Sequence, residues 1–374
     1  MDPLTHFLTG ACLGRSGFNR KTAYATLAMT LAAEAPDLDI LWGFGGPVAA
    51  LQHHRGISHT LVAAPFIALV VTGAVWLFDR LYYRVRPPKP GREEHEEHEK
   101  HGRQPVRWPL VWLFSLIAVL SHLLLDYTNN YGIRPFFPFN PRWYSWNIVY
   151  VVEPVILAVL GFALVMPALL GLTDREIGVR RTRFRGRAWA IGALVSVVLL
   201  YALRNAEHAH ALTLVRNANI ATEPLKRVGI EPYPIDPFKW FAVVETADYY
   251  QTAVVHTRTD QIDTDAGQLI YKPAETAATT AAKQSWLGRV YLDWAGFPIV
   301  TDRGNAANLA PVKGVEPPAE GQAWTAVQFR DLRFAYSPVS FVAFDRRDPP
   351  LSGWVFVGPS HEIEAMGMDA RAQK

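Results

Sequence analysis

The sequence predicts an α-helical integral membrane domain, of about four transmembrane helices plus two short N-terminal helices, followed by a soluble β-rich domain. Three observations predict it. Four apolar runs long enough to cross a bilayer fall before Arg204, strongly basic segments separate some of them, and the remainder of the chain is polar, Pro-rich and short-patterned. The mean hydropathy of +0.05 averages these unlike parts and describes neither.

The apolar runs cover residues 61–78, 109–125, 149–171 and 188–203, against the roughly 17–25 residues that a helical span requires. One such run would suit the core of a soluble protein. Four within so short a stretch would not, because a globular fold needs polar faces on its helices. Upstream, residues 3–14 and 22–33 are apolar but only about a dozen residues each, some 18 Å as helix. They read either as short arms dipping into the membrane or as interfacial helices. The start does not read as a secretory signal, since Asp2, His6 and Arg15 interrupt it. The expected division is a transmembrane domain over 1–204 and an extracytoplasmic β-rich domain over 205–374.

Composition excludes other classes. Half of the 374 residues are hydrophobic and 19% are charged, which does not suit a disordered chain. The single cysteine, Cys12, excludes a disulfide scaffold and a thiolate zinc finger. The net charge of +3 sits in loops rather than on a polar helical face, so no nucleic-acid binding is expected. Those loops set an orientation. Residues 79–107 carry eight Lys/Arg and residues 173–187 carry six, whereas 126–148 hold only Arg134 and Arg142. The positive-inside rule makes both basic loops cytoplasmic. Residues 34–60, 126–148 and everything after Arg204 then lie on the outer side of the membrane, periplasmic in a Gram-negative cell.

Ionisable residues at membrane level are costly and ask for a reason. In order they are His6, Glu34-Ala35-Pro36-Asp37-Leu38-Asp39, His53-His54-Arg55-Gly56-Ile57-Ser58-His59, Ser121-His122-Leu123-Leu124-Leu125-Asp126, and Glu153. On this topology the groups from Glu34 onward all fall at the outer ends of spans. Metal ligation accounts for them. His122 and Asp126 share one helical face a turn apart, and Asp37 and Asp39 follow a helix-ending Pro36 on a segment expected to be extended, able to turn both carboxylates inward. Imidazole and carboxylate ligands without thiolate suit a catalytic zinc or a manganese ion. The candidate ligands are His6, Asp37, Asp39, His59, His122, Asp126 and Glu153. Glu34 is the candidate proton acceptor. Arg55 is the candidate clamp on a phosphoryl or acyl oxygen, and His54 beside it is a third candidate catalytic group.

The start Met1-Asp2-Pro3-Leu4-Thr5-His6 and the three motifs around Asp37, His59 and His122 resemble the bacterial inner-membrane metal-dependent hydrolases of the LexA-regulated, SOS-associated type, over about residues 1–170. Tyr131-Gly132 and Pro135-Phe136-Phe137-Pro138-Phe139 extend the resemblance. Ser58 stands where Thr is commoner, and Glu153 where Asp is expected. More distantly, the order of His and Asp is similar to zinc-dependent phospholipase C and the fungal single-strand nucleases. Their further downstream His ligands and their N-terminal Trp have no counterpart here. The resemblance implies a metal-dependent hydrolase with one or two metal ions and leaves its substrate open; a site at the outer membrane face fits an ester or phosphodiester bond in a membrane lipid or lipid-linked molecule, which reaches it by lateral diffusion. A transporter or ion carrier using the same cluster, and a non-catalytic membrane scaffold, are the alternatives. The former lacks the inverted repeats and mid-span charges that transporters use.

Residues 93–101 form a charged, His-containing linker, read as a solvated loop. Beyond Arg204, residues 207–215 read as a helical continuation of the last span. Runs at 241–246, 249–257, 268–272, 290–294, 324–332, 339–344 and 353–357 read as strands of an antiparallel sheet or sandwich. No constellation of nucleophile and base is present there, so a structural or gating role is expected for the domain.

Overall fold

The computed structural model describes residues 1–85, 104–176, 186–308, 315, 323–336, 349–369 and 371–373, with side chains omitted at 172–176. The linker at 93–101 and the run at 339–344 lie outside the described residues. So does much of both basic loops. The chain divides into two compact units. One holds residues 1–38, 57–145 and 151–201; the other holds 39–56, 146–150 and 202–374.

The first unit is helical. Its elements are α1 (Pro3–Arg15), α2 (Ala25–Glu34), α4 (Ala64–Val85), α5 (Trp108–Thr128) and α6 (Pro154–Glu176), together with the apolar first part of α7 (Arg187–Asn217). Four of these helices, α4 to α7, are long and apolar enough to cross a membrane. Much of their apolar surface faces outward, including Phe66, Val70 and Val198, as a hydrocarbon solvent allows.

The two short N-terminal helices are packed elements of this unit. Asp2 caps α1 by accepting from the Thr5 amide, and Pro3 occupies the first turn, where its missing N–H costs nothing. α2 is rich in alanine and packs against α1, α4 and α5, with Ala28, Met29 and Ala32 fully buried. Gly10 and Gly14 make the α1–α2 approach possible. A Cβ at Gly10 would stand 2.6 Å from the Met29 carbonyl, and one at Gly14 would stand 2.5 Å from Thr26 Cα. This is the close backbone contact that Gly residues four apart permit between membrane helices.

Two boundaries differ from expectation. The third span begins at Pro154 rather than at 149, because a residue preceding proline is disfavoured in the α region and Pro154 itself suits a first turn. The segment after α2 is not extended: Ala35–Gly45 is a 3-10 helix. Successive residues there turn by about 120°, so Asp37 and Asp39 leave the helix from different faces, yet a carboxylate oxygen of each lies within 4.8 Å of the other.

In the second unit, α7 continues past residue 201 to Asn217, covering the expected helical continuation. Two antiparallel sheets follow. β1 (Arg227–Pro232), β2 (Lys239–Glu245), β3 (Tyr249–His256) and β4 (Gln261–Asp263) pair in sequence order, and β5 (Leu269–Tyr271) also pairs with β3. The second sheet runs β10 (Arg371–Ala372), β9 (Ile363–Met368), β8 (Gly353–Val357), β7 (Thr325–Asp331), β6 (Pro298–Asn305). β2 is buried on both faces. Phe241 and Val243 pack with Phe297, Ile299 and Tyr336, while Trp240, Ala242 and Val244 pack with Ala211 and Val215 of α7.

The run at 290–294 is a helix rather than a strand. It ends α9 (Trp286–Trp294), which follows α8 (Ala277–Gln284) and whose amide of Gly288 is capped by the Ser285 hydroxyl. Leu287, Tyr291 and Trp294 line its buried face at helical spacing. Two more short elements, α3 (Pro47–His53) and the preceding 3-10 helix from Asp39 onward, belong to this second unit.

Candidate metal centre

Four chain segments of the helical unit bring their polar side chains to one point. His6 lies in the first turns of α1 and Asp37 in the 3-10 helix that follows α2. His59 closes a short 3-10 turn, Ile57–His59, ahead of α4, and His122 and Asp126 stand one turn apart on α5. His6, His59, His122 and Asp126 are wholly buried, and the Asp37 side chain is 13% exposed. Asp37 thus marks the side of the cluster nearest to solvent.

The donor atoms of Asp37, His59, His122 and Asp126 all lie within 4.8 Å of one another. His59 Nε2 stands 3.0 Å from His122 Nε2, 3.3 Å from Asp37 Oδ1 and 3.2 Å from Asp126 Oδ2. His122 Nε2 stands 3.6 Å from Asp37 Oδ1 and 3.4 Å from Asp126 Oδ2. These are five edges of a small tetrahedron. Metal–ligand bonds of about 2.0–2.2 Å in tetrahedral geometry require edges of about 3.3–3.6 Å. The cluster has the dimensions to hold a metal ion.

The surrounding hydrogen bonds aim the rings inward. His122 Nδ1 donates to the Ala33 carbonyl at 2.7 Å, which leaves the Nε2 lone pair facing the cluster. His59 Nδ1 lies 3.0 Å from Ser58 Oγ, so its Nε2 is likewise turned inward. Asn129 Nδ2 reaches Asp126 Oδ1 at 3.4 Å, and the α-amino group of Met1 pairs with the same oxygen.

His6 reaches the second oxygens of the two carboxylates. Its Nε2 is 3.3 Å from Asp126 Oδ1 and 4.0 Å from Asp37 Oδ2, the oxygens not used by His59 and His122, and its ring stacks on His122 at 3.8 Å. Burial would raise the Asp37 pKa, but the hydrogen bond from His59 and the charges of His122 and His59 outweigh it and hold the carboxyl at about 2. Glu34 behaves oppositely. Burial, with the Asp37 charge acting in the same direction, pushes its carboxyl up to about 7, and its Oε1 is buried without a hydrogen-bond partner.

Two other expected residues, Asp39 and His54, form a second group with Asp37 in which each offers a ligand atom within 4.8 Å of the others, and Arg55 follows them in the chain. Asp39 Oδ1 is 3.0 Å from His54 Nδ1, and Asp39 Oδ2 accepts from the Arg55 amide at 2.8 Å. Asp39 therefore braces the 54–55 turn, where Arg55 is 2% exposed and adopts φ +54°. Glu153 is wholly buried at the head of α6, where its carbonyl accepts from the Leu157 amide. Sequence reasoning did not single out Ser58 as a partner of His59, or Asn129 and the Ala33 carbonyl. Ser58 and Asn129 carry a weak signal in their spacing from His59 and Asp126; a backbone carbonyl carries none.

The model of the YdjM inner membrane protein family matches residues 1–211. The uncharacterized protein YfhP of Bacillus subtilis (strain 168) is 25% identical over 168 residues, covering 42% of this chain and 43% of that relative. The chain thus spans less than half the length of the curated relative it matches. No solved structure matches it.

Proposed function

The chain belongs to the YdjM inner membrane protein family, and from that premise we propose that this multi-pass protein is a metal-dependent hydrolase of ester or phosphodiester bonds. The observation that carries the proposal is the pair of imidazole Nε2 atoms 3.0 Å apart, flanked by two carboxylates. With Nδ1 of each ring facing an oxygen, both Nε2 atoms and one oxygen of each carboxylate are available to a divalent ion, and the Met1 ammonium beside Asp126 balances only one of the two carboxylate charges.

His59, His122, Asp37 and Asp126 would hold the ion, with zinc favoured over manganese by two nitrogens and a tetrahedral outline. His6, stacked on His122, adds an imidazole beside the second oxygens of the carboxylates. A divalent ion there supplies Lewis acidity and brings the pKa of water towards 7. Glu34, with its pKa near that of the medium, accepts the proton of the attacking water. The substrate is a membrane lipid or lipid-linked molecule, which reaches a membrane-level site by lateral diffusion. The site and the β-rich unit face outward, as the basic loops direct.

The test is metal analysis of detergent-purified protein alongside hydrolysis of a chromogenic phosphodiester and a chromogenic carboxylic ester. Wild type should carry about one equivalent of zinc or manganese and hydrolyse one of the two, with both properties lost in His122→Ala. Equal and negligible metal in both proteins would end the proposal.

A further inference from the structure

One feature outside the metal cluster has no role in the chemistry above. Residues 40–51, Ile-Leu-Trp-Gly-Phe-Gly-Gly-Pro-Val-Ala-Ala-Leu, contain no charged residue and, the Trp42 indole aside, no polar side chain. Within them Ile40, Leu41, Trp42 and Phe44 are 71%, 57%, 53% and 89% exposed. Four neighbouring large apolar side chains on one short 3-10 helix are more than the scattered exposure that a water-facing surface tolerates.

The segment is nevertheless firmly built. Gln373, just past β10, accepts from the Val48 amide at 2.8 Å and donates to the Gly45 carbonyl at 2.5 Å. Trp286 Nε1 donates to Gln52 Oε1 at 2.7 Å, and α3 packs against α9 and β9. Gly46 is required at the bend, at φ +104°, where a Cβ would stand 2.4 Å from the Gln373 side chain. Trp42 stacks on His53 at 4.2 Å. The base is therefore riveted to the β-rich unit, and the apolar tip is held out from it.

We propose that residues 40–44 are a membrane foot of the β-rich unit, seated in the bilayer at the boundary between headgroups and hydrocarbon. The occupant is lipid because both flanks of the excursion, Leu38 and Ile57, belong to the helical unit whose helices cross the membrane, so the tip is continuous in sequence with bilayer-embedded chain. At roughly 2.0 Å per residue the eleven-residue 3-10 helix reaches about 22 Å, short of the hydrocarbon thickness, so it enters and leaves on one side. Trp42 suits that depth, since indoles collect at the membrane–water boundary. Asp39 at one end and Gln52, His53 and His54 at the other supply the polar collar. The inference does not depend on the metal reading.

The test uses full-length protein in phospholipid vesicles, labelled with an environment-sensitive fluorophore at Phe44→Cys and, as a water-exposed control, at Asp260→Cys. Cys12 is fully buried and stays unlabelled, and Phe44 contributes so little packing that its replacement leaves the fold intact. Ile40→Cys serves as a second tip position. The label at 44 should emit at shorter wavelength than at 260 and be quenched several-fold more by lipids carrying a nitroxide high on the acyl chain than by aqueous iodide, with the order reversed at 260. Iodide quenching at 44 equal to that at 260 would overturn the proposal. Protection from both quenchers would overturn it too, showing protein against the tip; energy transfer between differently labelled molecules would then identify a second copy as the cover.

Discussion

His59 and His122 each spend one ring nitrogen on an oxygen so that the other can face the cluster, and that division makes a residue-scale prediction. Ser58 is the partner of His59 Nδ1. Removing such an outer partner typically costs about 10–100-fold in metal affinity. Ser58→Ala should weaken metal retention by that order in a chelator competition, while Ser58→Thr, which keeps the hydroxyl, should leave it within a few-fold. Equal retention in all three proteins would show that Ser58 does not orient the ring. Glu34 gives a second prediction, from the direction of its shift. A proton acceptor must be ionised, and the Glu34 carboxyl titrates at about 7, so hydrolysis should rise as pH rises through that value. Glu34→Gln should lose about 10²-fold or more in kcat, lose that limb of the pH profile and keep its metal. A profile unchanged in shape would remove Glu34 from the role. Most of this site was legible because each ligand sits in a short motif of its own. Which aspartate turned inward was not legible. Asp37 falls in both groups of possible ligands and Asp39 only in the one with His54, which depends on the segment being a 3-10 helix, and Pro-Asp-Leu-Asp is equally compatible with an extended chain.

At the scale of elements, hydropathy located the spans because a membrane helix is recognised by length and composition alone. Capping chemistry corrected their ends, as at Pro154. The packing of α1 and α2 was not legible from hydropathy. Two apolar stretches of a dozen residues look alike whether they lie at an interface or in a helical core. Gly10 and Gly14, four apart, are the residues that decide it. Gly10→Val puts atoms where the Met29 carbonyl already is, and overpacking of this kind typically costs about 1–3 kcal/mol. Its thermal midpoint in detergent should fall by several degrees. Gly73→Ala on α4 meets nothing within 4 Å and should be neutral or slightly stabilising. If the two variants melt alike, the α1–α2 contact is not close. The misread run at 290–294 has a related cause. Five residues with a β-branched start and two aromatics fit either period, and only the Ser285 cap and the buried positions of Leu287, Tyr291 and Trp294 select the helix.

For the whole molecule, the proposed sidedness rests on the two basic loops and one helix. α7 starts at Arg187, at the end of the second basic loop, and its first eighteen or so residues are apolar enough to cross the bilayer once. At about 1.5 Å per residue its thirty-one residues reach some 46 Å, beyond the roughly 30 Å of hydrocarbon. The surplus falls where Arg204, Glu207, His208, His210 and Arg216 make the helix polar, which is where it joins the β-rich unit. A cytoplasmic start would therefore put the other end of α7 outside, and with it the β-rich unit, as proposed. The arrangement of α1 and α2 does not enter this parity. A reporter active only outside the cytoplasm should work when fused after Lys374 and fail after Arg103, with the complementary reporter giving the reverse. Activity of the cytoplasmic reporter after Lys374 would invert the orientation. It would also carry the metal cluster's outer end of α5 to the inner face, because α5 and α7 both run outward from a basic loop and must turn over together.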